Sequence, residues 1–237
     1  MPAKTCVILP AFNSEKTVGQ LVREVKRLGL DPIVVNDGSV DGTAKMAMDA
    51  GAFVMSHLGN RGKGLALRTG FSYALHVGYE SIVTMDSDGQ HDPADLPKLI
   101  EAGAQPQAAI VVGHRMLERG SMPAARWTTN RMMSWIISRL TRQQIPDSQC
   151  GFRVIRREVL EAVRLSTDHY DLETELLLAS ARHGWRIVSV PIRTIYHADH
   201  SSHIRPIIDA WRFMCLVIRY LLEPRRTQRQ DHEPLRS

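Results

Sequence analysis

Two carboxylates stand two residues apart in Asp86-Ser87-Asp88-Gly89, directly after the apolar run Ser81-Ile82-Val83-Thr84-Met85. Side chains of an extended chain repeat every two residues, so both acids are expected to point the same way where a buried strand meets solvent. Like charges held that close repel, and the pair makes chemical sense when a cation lies between them or one acid carries a proton. Oxygen-only ligands on an open loop suit a hard divalent ion, Mg²⁺ or Mn²⁺, which keeps waters and binds phosphates as well. Gln90 and His91 follow within reach. A plain polar turn after a strand uses the same residue types, and Asp-X-Asp by itself does not separate the two.

Other apolar runs also end in polar loops. Cys6-Val7-Ile8-Leu9 stops at Pro10-Ala11-Phe12-Asn13-Ser14-Glu15, and Ile33-Val34-Val35 stops at Asn36-Asp37-Gly38-Ser39. Between strands, Val18, Leu21, Val22, Val25 and Leu28 recur at helical spacing before Gly29, and a second helical stretch, 41–50, ends before Gly51. Strand and helix in alternation predict a parallel α/β sheet with right-handed crossovers. Ligands of such sheets bind beyond the carboxyl ends of the strands, so Pro10, Asp37, Asp86 and Asp88 are expected in one crevice.

Gly59, Gly62, Lys63, Gly64 and Gly70 lack the spacing of a nucleotide P-loop, and no Ser or Thr follows Lys63. A glycine-rich turn opening a helix over 65–77 still offers N–H groups and a positive helix end to an anion. The alternative is a tight loop with Lys63 and Arg68 in solvent. Farther on, the strand Ile110-Val111-Val112-Gly113-His114-Arg115 leads to Arg119, Arg126 and Arg131. The guanidinium fork binds two phosphate oxygens at once, so these arginines suit a phosphate, with a solvated basic loop as the plain alternative.

At 237 residues and 43% apolar, the chain holds one sizeable domain, expected over 1–225, with a polar, disordered tail over 226–237. Three cysteines without metal spacing speak against a disulfide framework. Met1-Pro2-Ala3-Lys4 leads straight into the first strand, and no apolar run reaches the roughly 18 to 20 residues of a membrane span, so a cytoplasmic protein is expected. A net charge of +5 is modest and aromatic residues make up only 6%, which disfavours nucleic acid as partner. The stretch 206–222 reads as an amphipathic helix with Trp211 and flanking arginines, docked on the domain with partial, peripheral membrane contact. His197, His200 and His203, with Asp199 among them, have zinc-like spacing but no evident fourth ligand.

Four segments together carry a resemblance: Val7 to Asn13, Val34 to Thr43, Asn60 to Gly70 and Met85 to His91. They are similar to the family 2 inverting glycosyltransferases, and within them to the dolichyl- or polyprenyl-phosphate mannosyl and glucosyl transferases. The likeness continues through Asp147-Ser148-Gln149-Cys150-Gly151-Phe152-Arg153 and Glu173-Thr174-Glu175 to Ser202-His203. It implies a GT-A type nucleotide-sugar-binding fold, Rossmann-like, with a mixed, mostly parallel sheet flanked by helices. It also implies metal-dependent transfer of a hexose, mannose or glucose, from a GDP- or UDP-sugar to a polyprenyl phosphate at the inner membrane face. By the same resemblance Asp86, Asp88 and Gln90 hold Mg²⁺ or Mn²⁺, and Pro10, Phe12 and Glu15 frame base and ribose. Asp37 takes a nucleoside edge, Lys63, Arg68 and Ser87 lie by the donor, Arg115 and Arg131 contact the acceptor phosphate, and Ser202-His203 belongs to a loop that closes over the donor. Where the family often has Tyr and two acids after the proline, this chain has Phe12, Ser14 and Glu15, which leaves guanine and uracil both open.

The acceptor decides whether a base is required. A phosphate monoester carries about −1.5 to −2 charges at pH 7 and attacks unaided, whereas a sugar hydroxyl needs a group to take its proton. The resemblance makes Asp147 the candidate, since the family's acceptor-side acid falls at comparable positions, either as that base or as an acid that orders Arg153 or the following turn. Glu173 and Glu175 stand at a helix start, where acids are favourable for dipole reasons alone. Transfer to a hydroxyl in glycan or envelope polysaccharide synthesis, and a nucleotide-sugar-binding module without turnover, are the alternatives. Intact Asp86 and Asp88 favour an enzyme.

Overall fold

Runs of valine, isoleucine and leucine bounded by turn residues become strands because their stiff side chains pack well on a pleated surface. The computed structural model describes residues 3–115, 124–169, 171–195 and 206–222. Seven strands form one sheet: Thr5–Ala11 (β1), Asp31–Asn36 (β2), Phe53–Ser56 (β3), Ser81–Thr84 (β4), Ile110–His114 (β5), Arg153–Arg156 (β6) and Ile187–Pro191 (β7). Their order is β3-β2-β1-β4-β6-β5-β7. The β1–β2, β2–β3, β1–β4 and β5–β7 pairs are parallel, while β6 runs antiparallel to both β4 and β5. Register places Ile8 beside Ile33 on one side and Thr84 on the other, and Thr84 beside Arg153. Cys6 to Leu9 of β1 are buried without alternation, as expected of a strand covered on both faces.

Among the described residues eight α-helices accompany the sheet: Val18–Arg27 (α1), Thr43–Asp49 (α2), Lys63–Val77 (α3), Leu96–Ala104 (α4), Ala124–Thr141 (α5), Arg157–Ala162 (α6), Leu172–Arg182 (α7) and Pro206–Leu222 (α8). In α1, Val18, Leu21, Val22 and Val25 are buried. Three of these are valines, poor helix formers, so the helix is held by burial, worth about 1.5–3 kcal/mol per Val or Leu side chain. The second helix begins at Thr43 rather than 41: Asp41 forms a turn before it, its carboxylate accepting the Thr43 N–H at 3.0 Å, and Gly42 is the N-cap.

The reversal of β6 has the largest effect on the crevice. Because β6 enters between β4 and β5 in the opposite direction, the residues that precede it, 147–152, arrive at the carboxyl ends of its neighbours. The Thr84 hydroxyl donates to the Gly151 carbonyl at 2.8 Å and fixes that approach. Helix α8 buries Phe213, Leu216 and Val217 and exposes Trp211, Met214, Ile218, Leu221 and Leu222. No helix among the described residues is long and apolar enough to cross a membrane. Cys6 and Cys150 are buried free thiols, and Cys215 is an exposed one. Arg119, the segment with His197, His200, His203 and Ser202, the side chain of Arg126 and the stretch 226–237 lie outside what is described.

Candidate active site

The exits of β1, β2 and β4 converge and are stitched together by polar side chains. The Ser87 hydroxyl bonds the Pro10 carbonyl at 2.9 Å and lies 3.0 Å from the Ser14 hydroxyl, while Thr17 donates to the Ser87 carbonyl at 2.5 Å. Ser87, expected beside the donor, is buried and holds the two loops to each other. Phe12 is half-buried on the same exit. Glu15, expected to frame the nucleoside, accepts the Gly42 N–H at 2.9 Å and so joins the first loop to the second.

Asp37 is drawn into a network of its own on this side. It is 3% exposed, and its two oxygens accept His57 Nδ1 at 2.7 Å, Arg61 N–H at 3.0 Å and Gly62 N–H at 2.8 Å. Its carboxylate therefore shapes the 57–62 segment. His57, which the sequence did not single out, carries the network on to the Thr69 hydroxyl at 3.0 Å. The anion cradle expected at the start of α3 is partly spent as well, because Gly62 N–H goes to Asp37 and Leu65 N–H to the Asp168 carbonyl at 3.1 Å. Arg68 pairs with Asp168 at 2.7 Å.

Asp86 and Asp88 leave the sheet from a turn, since β4 ends at Thr84, and strand alternation does not align them. Asp88 closes the turn by accepting the Gln90 N–H at 2.9 Å. Asp86 faces Lys63, whose ammonium lies 2.6 Å from Asp86 Oδ1 and 2.9 Å from Glu173 Oε2, and His91 Nε2 is 3.7 Å from Asp86 Oδ2. Burial alone would raise the Asp86 pKa, but Lys63 and His91 hold it far below the usual carboxylate range. Burial would lower Lys63, and Asp86 and Glu173 instead hold it above the ordinary lysine value. Backbone closes the other side: a Cβ on Gly151 would stand 2.7 Å from both Asp86 oxygens. Among the described residues no three His, Cys, Asp or Glu side chains form a ready-made metal cage. The donor set is still carboxylate oxygen, and Asp86 already faces a positive charge at 2.6 Å, chemistry that would suit a hard divalent ion.

The acceptor-side expectations meet each other. Arg115 and Asp147, assigned to the phosphate and to proton transfer, form a two-pronged ion pair, Nε to Oδ2 at 2.8 Å and Nη2 to Oδ1 at 3.1 Å. Their side chains are 6% and 0% exposed. Burial would raise the Asp147 pKa, yet the Arg115 guanidinium lowers it, and a carboxylate so held is a poor base. Arg131 stays exposed on α5, its guanidinium 4.6 Å from the centre of the Trp127 ring. Arg153, 1% exposed, donates to the carbonyls of Cys150 and Ser148, both at 2.8 Å, and of Glu173 at 2.5 Å, joining the loop before β6 to the first turn of α7.

Comparison with known proteins agrees with this architecture. Residues 6–164 match the family model described as Glycosyl transferase family 2. The chain is 34% identical over 206 residues to the undecaprenyl-phosphate mannosyltransferase of Micrococcus luteus, covering 80% of this chain and 82% of that one. It is 30% identical over 213 residues to the UDP-N-acetylglucosamine–dolichyl-phosphate N-acetylglucosaminyltransferase of Methanococcus voltae, covering 80% and 85%. Among solved structures, glucosyl-3-phosphoglycerate synthase of Mycobacterium tuberculosis with Mn²⁺, UDP and glucosyl-3-phosphoglycerate superposes with a TM-score of 0.71 at 21% identity, over 93% of this chain and 79% of that one. That likeness speaks to the fold, which is of the GT-A type.

Proposed function

The chain belongs to Glycosyl transferase family 2 and is a glycosyltransferase, and on that premise we propose that it moves a hexose, mannose or glucose, from a GDP- or UDP-sugar to a polyprenyl phosphate at the cytoplasmic face of a membrane, with inversion and with a divalent cation. The observation that carries the choice of acceptor is the Arg115–Asp147 pair. With Asp147 covered by a guanidinium, the side chain best placed to deprotonate a sugar hydroxyl is committed elsewhere. A phosphate monoester needs no such base, because with a second pKa of about 6 it is already charged at pH 7.

In this reaction an acceptor phosphate oxygen forms the new bond to the anomeric carbon as the bond to the nucleoside diphosphate breaks on the opposite face. The electron pair leaves with the diphosphate. A divalent cation held by Asp86, Asp88 and Gln90 would neutralise the charge developing there as a Lewis acid. Asp37 and His57 keep the 57–62 segment in shape around the donor, and Ser87 with Thr17 keeps the first and fourth strand exits together. Arg131 is the exposed guanidinium that can meet the acceptor phosphate, while Arg115 acts through Asp147. Names of the relatives support a prenyl phosphate as acceptor, and the apolar outer face of α8 supports peripheral membrane contact.

The test is incubation with Mg²⁺ or Mn²⁺ and labelled GDP- and UDP-hexoses, with and without polyprenyl phosphate. Label should pass into the organic phase only when lipid phosphate and cation are both present, and Asp86→Asn or Asp88→Asn should abolish it. Transfer to a soluble glycan with none to the lipid phosphate would replace this proposal with a glycan-extending enzyme.

A further inference from the structure

Glu173 enters the site from α7 and was expected to do no more than favour a helix start. Its carboxyl group is buried beside Lys63, the Oε1 atom has no hydrogen-bond partner among the described residues, and its backbone carbonyl is held by Arg153. One ammonium therefore serves two acids from different elements, at 2.6 Å from Asp86 and 2.9 Å from Glu173. An ammonium and a divalent ion are both compact, strongly hydrated cations that seek carboxylate oxygen, so at Asp86 they compete for one place. If Asp86 were the lysine's single anion, displacement would strand a buried charge.

We propose that the Lys63 ammonium is the resident counter-cation of Asp86, that a divalent ion binds by exchanging with it there, and that Glu173 is the positioning residue that retains Lys63 after the exchange. This rests on the assignment of Asp86 as a metal ligand above. The backbone at Lys63 is fixed, because Gly62 and Gly64 pack against residues 168 and 169 too closely for a Cβ. The exchange is then a swing of the lysine side chain alone. Glu173 tunes it: the better it holds the ammonium, the less Asp86 has to give up.

A bridge that merely cross-links α3 to α7 predicts that losing either partner harms cation binding. Exchange predicts opposite signs. Mn²⁺ is titrated into the full chain without nucleotide, with free Mn²⁺ read by its paramagnetic resonance signal and the melting temperature followed in parallel. Lys63→Met should bind Mn²⁺ about tenfold more tightly than the unaltered protein and gain more thermal stability from it, since the metal replaces the missing charge. Glu173→Gln should bind about tenfold more weakly, because the ammonium loses one of the two acids it serves and holds Asp86 the more firmly. Lys63→Gln, which keeps a neutral donor toward both acids, repeats the measurement if Lys63→Met does not fold. If the unaltered protein binds Mn²⁺ and neither Lys63 variant binds it more tightly, the exchange is overturned while the metal assignment stands. If none of the proteins binds Mn²⁺, with or without GDP or UDP, the metal assignment itself falls.

Discussion

The Arg115–Asp147 pair is the residue-level feature with the clearest energetic consequence. Removing one partner of a buried pair leaves the other charge without compensation, at a cost of about 3–5 kcal/mol. Arg115→Met or Asp147→Asn should therefore lower stability at pH 7, and the double variant should recover part of the loss, which urea unfolding of all four proteins measures. The pH dependence has a definite sign. The folded pKa of Asp147 is lowered, so its contribution is complete above the unfolded value of about 3.9 and disappears as pH falls through the lower folded value. Unfolding curves of the unaltered protein and of Asp147→Asn should begin to approach each other as pH falls below the unfolded value of about 3.9 and meet only once pH has passed below the lower folded value. Equal stability of the two at pH 7 would return Asp147 to the role of a free acid.

At the scale of elements, the exits of β1, β2 and β4 and the helices between them were legible in the sequence, because apolar period, turn residues and helix ends are local signals. The family motifs marked the loops that matter. What the chain did not disclose was direction. Asp37 carries the residue type of a ligand-binding acid, yet its oxygens turn inward to Arg61 and Gly62. Arg115 and Asp147 lie 32 residues apart, and only the reversal of β6 brings them together. Glu173 and Arg153 carried no periodic signal, since each is a charged residue in an otherwise buried setting. Two glycines test how the inward turn of Asp37 supports the 57–62 segment. Gly62 has φ 99°, and a Cβ there would lie 2.4 Å from His169 Nδ1; Gly78 has φ 85° and open space around it. Gly78→Ala should cost about 1 kcal/mol from backbone strain and leave nucleotide affinity unchanged. Gly62→Ala should move the loop off Asp37 and weaken nucleotide binding about tenfold, a loss of about 1.4 kcal/mol, read by titration with GDP and UDP. Equal effects at the two sites would mean that the loop adapts.

On the scale of the whole molecule, α8 presents one side to the domain and another to its surroundings. Trp211, Met214, Ile218, Leu221 and Leu222 are 70%, 47%, 50%, 63% and 78% exposed, with Arg219 on the same helix. An apolar stripe with tryptophan suits a headgroup layer and the net charge of +5 favours an anionic one, while Arg219 beside it donates to the Ser166 hydroxyl at 3.0 Å. The protein should co-sediment with anionic vesicles, bind neutral ones less and dissociate in high salt. Trp211→Ser with Leu221→Ser should abolish sedimentation without changing the circular dichroism spectrum. Sedimentation unchanged in that double variant would assign the stripe another partner. The cluster around Asp86 also has a history in time. Lys63 is made 110 residues before Glu173, and Thr84 is made 67 residues before the Gly151 carbonyl that it bonds. During synthesis the exits of β1, β2 and β4 are complete long before the acid and the backbone that close around Asp86, and contacts of such separation close late and slowly. A nascent chain thus holds lysine and aspartate without their third partner, and the onset of nucleotide or cation binding, more than the appearance of helix, should mark the moment when the enzyme has finished folding.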